Sequence, residues 1–311
     1  MTDNKRDRIV VALGGNALGR TPEEQLSLIR ITASTIVDLL HTGQDVVVTH
    51  GNGPQVGFLL RRAELALDEL PALPLDVLGA DTQGATGYLF TRNLRGCLAE
   101  RGIDRQVVAV VTQSLVDPDD PAFAEPSKPI GSFMDGAEAR EHERKDGWVL
   151  REDSGRGWRR VVASPQPLDI LERRVIGSLV DSGCVVVACG GGGIPVRREG
   201  TEYVGVEAVI DKDFASALLA NQLGVDDFAI CTAVDAVSLN YGTPEQIDLR
   251  ELTVEEAERH LAEGQFGEGS MAPKVQAAVN FLLNGGRRVV ITSLARLRDA
   301  VDGRAGTVIT R

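Results

Sequence analysis

The chain has 311 residues, 43% of them hydrophobic and 25% charged, with a formal net charge of −12 and an isoelectric point near 4.9. That length suits one large α/β domain or two lobes; the acidic balance argues against nucleic acid as the main partner, and no run approaches the roughly 18 unbroken apolar residues of a membrane span. MTDNKRDR runs straight into the strand-like IVVAL with no signal-peptide core, and the four cysteines form no CxxC pair, so a cytoplasmic protein with reduced, mostly buried thiols is expected.

In chain order, residues 8–13 predict a buried strand followed by Gly14-Gly15-Asn16. Thr21-Pro22-Glu23-Glu24 is a capping box with proline at the first helical position, opening a helix to about Leu40 that Gly43 closes, with His41 at its end. A strand over 45–49 leads into HGNGPQVG at 50–57, then helices over about 54–69 and 76–100 and a third strand over 106–112. Strands alternating with helices imply an open, mainly parallel sheet with helices on both faces.

The rhythm breaks over 117–167, where Pro, Asp and Gly cluster and two aromatic-bearing runs flank a turn at 153–157. We read this stretch as a hairpin-bearing inserted subdomain of the kind that serves α/β folds as a lid; the plainer reading is a loop without order. A helix over about 168–182, a strand over 184–188 and the turn Gly190 to Gly193 follow. Then come a ribbon over 197–209, a helix opening at Asp211-Lys212-Asp213, a strand over 227–232, and a helix capped by Thr253. A helix over 273–283, a strand over 288–292, a helix from about Leu294 and a strand over 306–309 complete the chain. The whole is one domain: an N-terminal lobe over about 1–185 carrying the insertion, and a C-terminal lobe over about 186–311.

Three glycine-rich turns follow predicted strands, at 14–16, 51–53 and 190–193. Glycine lets backbone N–H groups approach a phosphate, although it also closes tight connections for purely geometric reasons. Neither GxxxxGK[ST] nor GxGxxG after the first strand is present, which argues against a P-loop and a dinucleotide site. Cationic stabilisation must then come from elsewhere. Of the 33 basic residues only five are lysines (Lys5, Lys128, Lys145, Lys212 and Lys274) and the other 28 are arginines. A retained lysine marks a place where a compact, rotatable ammonium is needed. Lys212 and Lys274 stand at predicted helix starts, where an anion meets free N–H groups, and Lys128 sits in the insertion. Phosphoryl transfer needs this kind of positioned charge. The plainer reading of Asp211-Lys212-Asp213 is a solvated turn. His50 either orients the 51–53 turn or is structural, and no metal cluster is expected from the protein's own side chains.

Several stretches together resemble the carbamate kinases of the amino acid kinase family. They are VVALGGNAL (10–18), THGNGPQVG (49–57), LDVLGADTQGATGY (75–88), DPAFAEPSKPIGSF (120–133), GRGWRRVVASPQP (157–167), CGGGGIPV (189–196), AVIDKDFASALLA (208–220), VDAVSLNYG (234–242) and GSMAPKV (269–275). The resemblance implies a three-layer αβα sandwich and the reaction ATP + carbamate ⇌ ADP + carbamoyl phosphate. It also implies Mg²⁺ carried with the nucleotide, a homodimer, and a role in arginine catabolism. By the resemblance, related amino acid kinases carry a lysine in the first strand just before its Leu-Gly-Gly, where this chain has Ala12, as carbamate kinases do; Lys212 takes over that charge.

By the same resemblance Lys128 reaches in from the insertion and Lys274 holds the nucleotide's phosphates. Asp213 organises the lysines. Gly14, Gly15, Asn16, Gly51, Asn52, Gly53, Gly191 and Gly192 cradle the small substrate, and Asp235, Tyr241 and Met271 border the nucleoside. Phe133-Met134 and Gly19-Arg20 depart from the family's pattern. Another small-molecule kinase of this fold, or a non-catalytic nucleotide-binding module, are the competing functions.

Overall fold

A computed structural model describes residues 7–15, 18–19, 21–40, 43–152, 155–267 and 269–311. Asn16, Arg20, His41 and part of the 153–157 turn therefore lie outside the described residues. The elements in chain order are β1 (Arg8–Leu13), α1 (Pro22–Leu40), β2 (Asp45–His50), α2 (Gly53–Leu65), α3 (Leu75–Glu100), β3 (Val107–Ala109), β4 (Gln113–Val116) and β5 (Lys128–Met134). Then follow α4 (Gly136–Asp146), β6 (Leu150–Glu152), β7 (Trp158–Val162), β8 (Pro167–Ile170), α5 (Arg173–Asp181), β9 (Val185–Val187), β10 (Ile194–Glu199), β11 (Glu202–Gly205) and α6 (Lys212–Gln222). Last come β12 (Asp227–Thr232), β13 (Val237–Leu239), β14 (Ile247–Leu249), β15 (Glu251–Thr253), α7 (Val254–Ala262), α8 (Ala272–Leu283), β16 (Arg288–Ser293), α9 (Leu297–Val301) and β17 (Thr307–Thr310).

The central sheet runs β15-β17-β16-β12-β1-β2-β9-β3, parallel throughout except where β17 lies antiparallel to β16. Both faces of β1 are buried, which is why RIVVAL reads as an unbroken apolar run. Val10 and Ala12 pack into a core with α5, α6, α7 and α8; Ile9, Val11 and Leu13 pack into a second core with α1, α3 and α9. The αβα sandwich expected from the sequence is therefore present. Fully burying each of the valine, isoleucine and leucine side chains stabilises the fold by about 1.5–3 kcal/mol. The expected capping box at Thr21 and the expected cap at Thr253 both close their helices, Thr21 Oγ1 accepting from Glu24 N–H and Thr253 Oγ1 from Glu256 N–H. Among the described residues no helix is long and apolar enough to cross a membrane.

Several expected elements change. The strand over 106–112 stops at Ala109, and β4 turns into a second sheet, β11-β10-β4-β8. The buried Gln83 amide forces the bend: Thr112 N–H donates to Gln83 Oε1 at 2.7 Å, and Gln83 Nε2 donates to Thr112 O at 3.1 Å. The helix expected from residue 168 begins at Arg173, because 167–170 pairs antiparallel with β4 and Glu172 holds the Gln113 N–H at 2.7 Å. The helix expected from Leu294 opens with a 3-10 turn over Leu294–Arg296 before α9. The hairpin β13-β14 was not expected. The glycine-rich α3 is intact: a Cβ on Gly87 would lie 2.7 Å from Ala109 Cβ, so glycine lets the helix sit close on β3.

The insertion is ordered. β6 and β7 form the expected hairpin, and β5 adds a third strand, β5-β7-β6. Asp135, accepting from the N–H groups of Ala137 and Glu138, caps α4 against it. β4 and β8 pair where the insertion leaves and rejoins the domain.

Candidate active site

Because β1, β2, β9 and β12 are parallel, their carboxyl ends open on one crevice. α6 begins there. Asp211 is its N-cap, Oδ1 accepting from Asp213 N–H at 2.9 Å, and Lys212 is the first helical residue. The Lys212 ammonium donates to Asp213 Oδ1. Lys274, in the first turn of α8, donates to Asp213 Oδ2 at 3.2 Å and to Ser270 O at 3.1 Å. Lys128, the first residue of β5, donates to Asp211 Oδ2 at 2.8 Å. The structure thus brings Lys128, Lys212, Asp213 and Lys274 together from three elements distant in sequence.

Asp213 is 2% exposed. Burial pushes its carboxyl up, but the charges and hydrogen bonds of Lys212 and Lys274 outweigh that and hold it below the ordinary carboxylate value. It is an anion that orients two cations, with no room to act as a base. Asp211, unassigned in the sequence, has a clear place: one oxygen caps α6 and the other holds Lys128.

The glycine turns border this group. A Cβ on Gly51 would lie 3.4 Å from Lys212 Cδ and 3.8 Å from Gly15 N, so the two turns and the lysine stem meet. Gly14 N–H donates to Cys231 O, Gly51 N–H to Leu13 O and Gly192 N–H to Cys189 O, all at 3.0–3.1 Å. Those three glycines therefore shape the floor, with Gly15, Gly53 and Gly191 beside them in the same turns. Asn52 Nδ2 donates to Thr82 Oγ1 at 2.7 Å and lies against Gly191, whose φ of 68° and lack of a Cβ allow the approach. Asn16 lies outside the described residues.

Gln83 and His50 support the floor. Gln83 Nε2 donates to Gly190 O at 2.9 Å. His50 Nδ1 is 2.8 Å from Gly51 O, and its ring stacks on Phe90 with centroids 5.6 Å apart. Burial pushes the His50 pKa down to about 4, with the Lys212 charge acting in the same direction against the Gly51 hydrogen bond. It is therefore a neutral pin under the turn. The sequence analysis did not single out Thr82 or Gln83; both are polar residues that the structure buries on α3, where each finds a hydrogen-bond partner at the site. Cys231, beside Gly14, is buried, and burial pushes its thiol up to about 12; Cys189 is shifted upward for the same reason.

Beyond Lys274 lies a cleft of about 300 Å³, lined by Thr232, Ala236, Tyr241, Phe266, Ser270 and Met271 among others. It is largely apolar, as a site for a flat heterocycle should be. Ser270 joins it to the lysine group, since its carbonyl accepts from Lys274. Tyr241 and Met271, expected to border the nucleoside, both line this cleft. Asp235 lies between lining residues Val234 and Ala236, is itself exposed, and accepts from Thr292 Oγ1 through its carbonyl at 3.1 Å.

The amino acid kinase family model matches residues 7–293. The chain belongs to the amino acid kinase family. Within it, the chain is 46% identical to the carbamate kinase of Pyrococcus horikoshii, covering 98% of this chain and 99% of that one. It is 47% identical to the carbamate kinase of Clostridium perfringens, covering 98% and 100%. The carbamate kinase from Giardia lamblia bound to AMP-PNP superposes with a TM-score of 0.93 at 40% identity, covering 98% of this chain and 99% of that one. An amino acid kinase at these identities to carbamate kinases is a phosphotransferase.

Proposed function

We propose that the chain catalyses reversible phosphoryl transfer between ATP and carbamate, giving ADP and carbamoyl phosphate. The observation that carries this reading is the buried Asp213 carboxylate shared by Lys212 and Lys274, set between the glycine turns and the apolar cleft. Moving a phosphoryl group asks for alignment and for fixed positive charge around it, with little covalent work by the protein. Asp213 holds two ammonium groups in place before substrate arrives. Lys212, packed along Gly51, faces the small-substrate turns. Lys274, bonded to Ser270, faces the nucleotide cleft. Lys128 brings a third ammonium from the insertion. Nucleotide-binding relatives, such as the Giardia enzyme with AMP-PNP, support placing the adenine moiety beside Tyr241 and Met271.

Among the described residues no three His, Cys, Asp or Glu side chains cluster as a metal cage, and the carboxylates of Asp211 and Asp213 are both engaged by lysines. A magnesium ion would then arrive with the nucleotide's phosphates, where it would neutralise part of their charge. A homodimer fits the exposed apolar residues Phe58, Leu65, Leu70, Val77 and Tyr88 along α2, the following turn and α3. The free cysteines suit a reducing cytoplasm. A role in arginine catabolism, running towards ATP, follows from the resemblance to carbamate kinases.

The test is ATP formation from ADP and carbamoyl phosphate with magnesium present. Turnover is expected; none would refute the reading.

A further inference from the structure

The insertion does not hang free of the domain. Its return strand and the approach to α6 form one seam. Arg160 Nη2 meets Glu207 Oε1 at 2.5 Å, Val209 N–H donates to Ala163 O at 3.0 Å, and Ala163 bridges Ala208. The seam ends at Lys128 and Asp211. Lys128 pairs in register with Val162 of β7, so its backbone is fixed by the insertion's own sheet.

We propose that Asp211 is a positioning residue that makes the placement of the insertion and the alignment of the Lys212–Asp213–Lys274 group a single event. The proposal rests on the kinase reading above. One carboxylate performs both tasks: Oδ1 fixes the Asp213 N–H at the start of α6, and Oδ2 holds the Lys128 ammonium. Asp211 is only 13% exposed at its side chain and is immobilised by the cap, so Lys128 is held by a carboxylate that cannot follow it into solvent. An ammonium has three donors. One donates to Asp211, and two remain to face a transferred phosphoryl group without that bond breaking. Asp211 thereby acts through Lys128 and has no need to touch substrate itself.

Asp211→Asn separates the two tasks. Asparagine caps helices about as well as aspartate, so α6 keeps its start, while the charge that holds Lys128 is lost. The expected result is a thermal midpoint and ADP affinity (by calorimetry) close to wild type, with kcat for ATP formation down at least tenfold. The effect must run through Lys128. In a Lys128→Met background, adding Asp211→Asn should change kcat less than twofold. The same fold-loss in both backgrounds, or wild-type kcat in Asp211→Asn, overturns the proposal. If the wild-type chain makes no ATP, the functional reading fails on its own, and amide exchange decides this one. Residues 128–134 should then exchange faster in both Asp211→Asn and Lys128→Met, with α6 unchanged. Unaltered exchange over 128–134 overturns it. Lys128→Met leaves the cap untouched, so it gives this readout even if Asp211→Asn does not fold.

Discussion

Replacing Asp213 by asparagine keeps the shape of the side chain and removes the charge between two ammonium groups. At the 3.2 Å between Lys274 Nζ and Asp213 Oδ2, opposite unit charges attract by about 5 kcal/mol at an effective dielectric of about 20. Lys212 makes a second contact of the same kind. Desolvation of a side chain 2% exposed offsets much of this, so the net worth of the group is smaller than the Coulomb sum. Removing one partner nevertheless leaves the others buried and uncompensated, which costs about 3–5 kcal/mol.

Asp213→Asn should therefore lose about that much stability in urea denaturation, and its kcat should fall at least about 100-fold as the two lysines lose their fixed places. The acid limb supplies a second readout. Asp213 is held below the ordinary carboxylate value of 3.8, so its contribution is fully present above that pH and is lost as pH falls through the depressed value. The variant should lack this part of the acid-side loss. A variant within about 1 kcal/mol of wild-type stability and within about tenfold of its kcat would refute the reasoning.

The remaining predictions probe the surroundings of that pair. Gly191→Ala places a Cβ 2.2 Å from Asn52 Nδ2 at a φ of 68°, so kcat/KM for carbamoyl phosphate should fall at least about tenfold, with ADP affinity unchanged by calorimetry. His50 has its pKa lowered by burial from 6.5 to about 4. Its contribution is present above pH 6.5 and lost as pH falls towards 4, amounting to about 2 kcal/mol between pH 7 and pH 5. Unfolding curves at the two pH values should show that loss in wild type and not in His50→Gln. Ala236→Trp fills much of the 300 Å³ cleft and should weaken ADP binding by more than about 50-fold, with the circular dichroism spectrum unchanged. Lys212→Arg puts a longer planar group where the lysine stem already packs on Gly51; kcat should fall at least about 100-fold.

The central sheet was legible because its strands are buried on both faces, which writes them as short apolar runs, and because capping boxes punctuate α1 and α7. The insertion's inner architecture was not. β5 alternates weakly, and Pro129 and Gly131 disguise it as loop; its partner strand is about 30 residues away, so only tertiary pairing reveals it. The same holds for β8, whose register with β4 is set by Glu172 and Gln113. The site was legible in parts. Lysine scarcity pointed to Lys128, Lys212 and Lys274, and glycine after strands pointed to the turns. Which glycine N–H groups are bonded within the fold depended on contacts between segments, as did the place of Asp211 between a cap and an ion pair.

The balance of charge in that group matters more than the charge of the whole chain. Three of the four lysines among the described residues meet two carboxylates; the fourth, Lys145, is exposed on α4. Three ammonium groups against Asp211 and Asp213 leave one positive charge unmatched, inside a protein whose formal charge is −12. With no carboxylate the lysines would repel one another and point outward; with a third the site would be neutral and indifferent to phosphate. Two carboxylates fix the lysines and still leave a net attraction for an anion. Because that attraction is local and partly desolvated, salt screens it less than it screens the acidic exterior. An anionic substrate approaching a chain of net negative charge therefore finds a favourable local potential where phosphoryl transfer would need it.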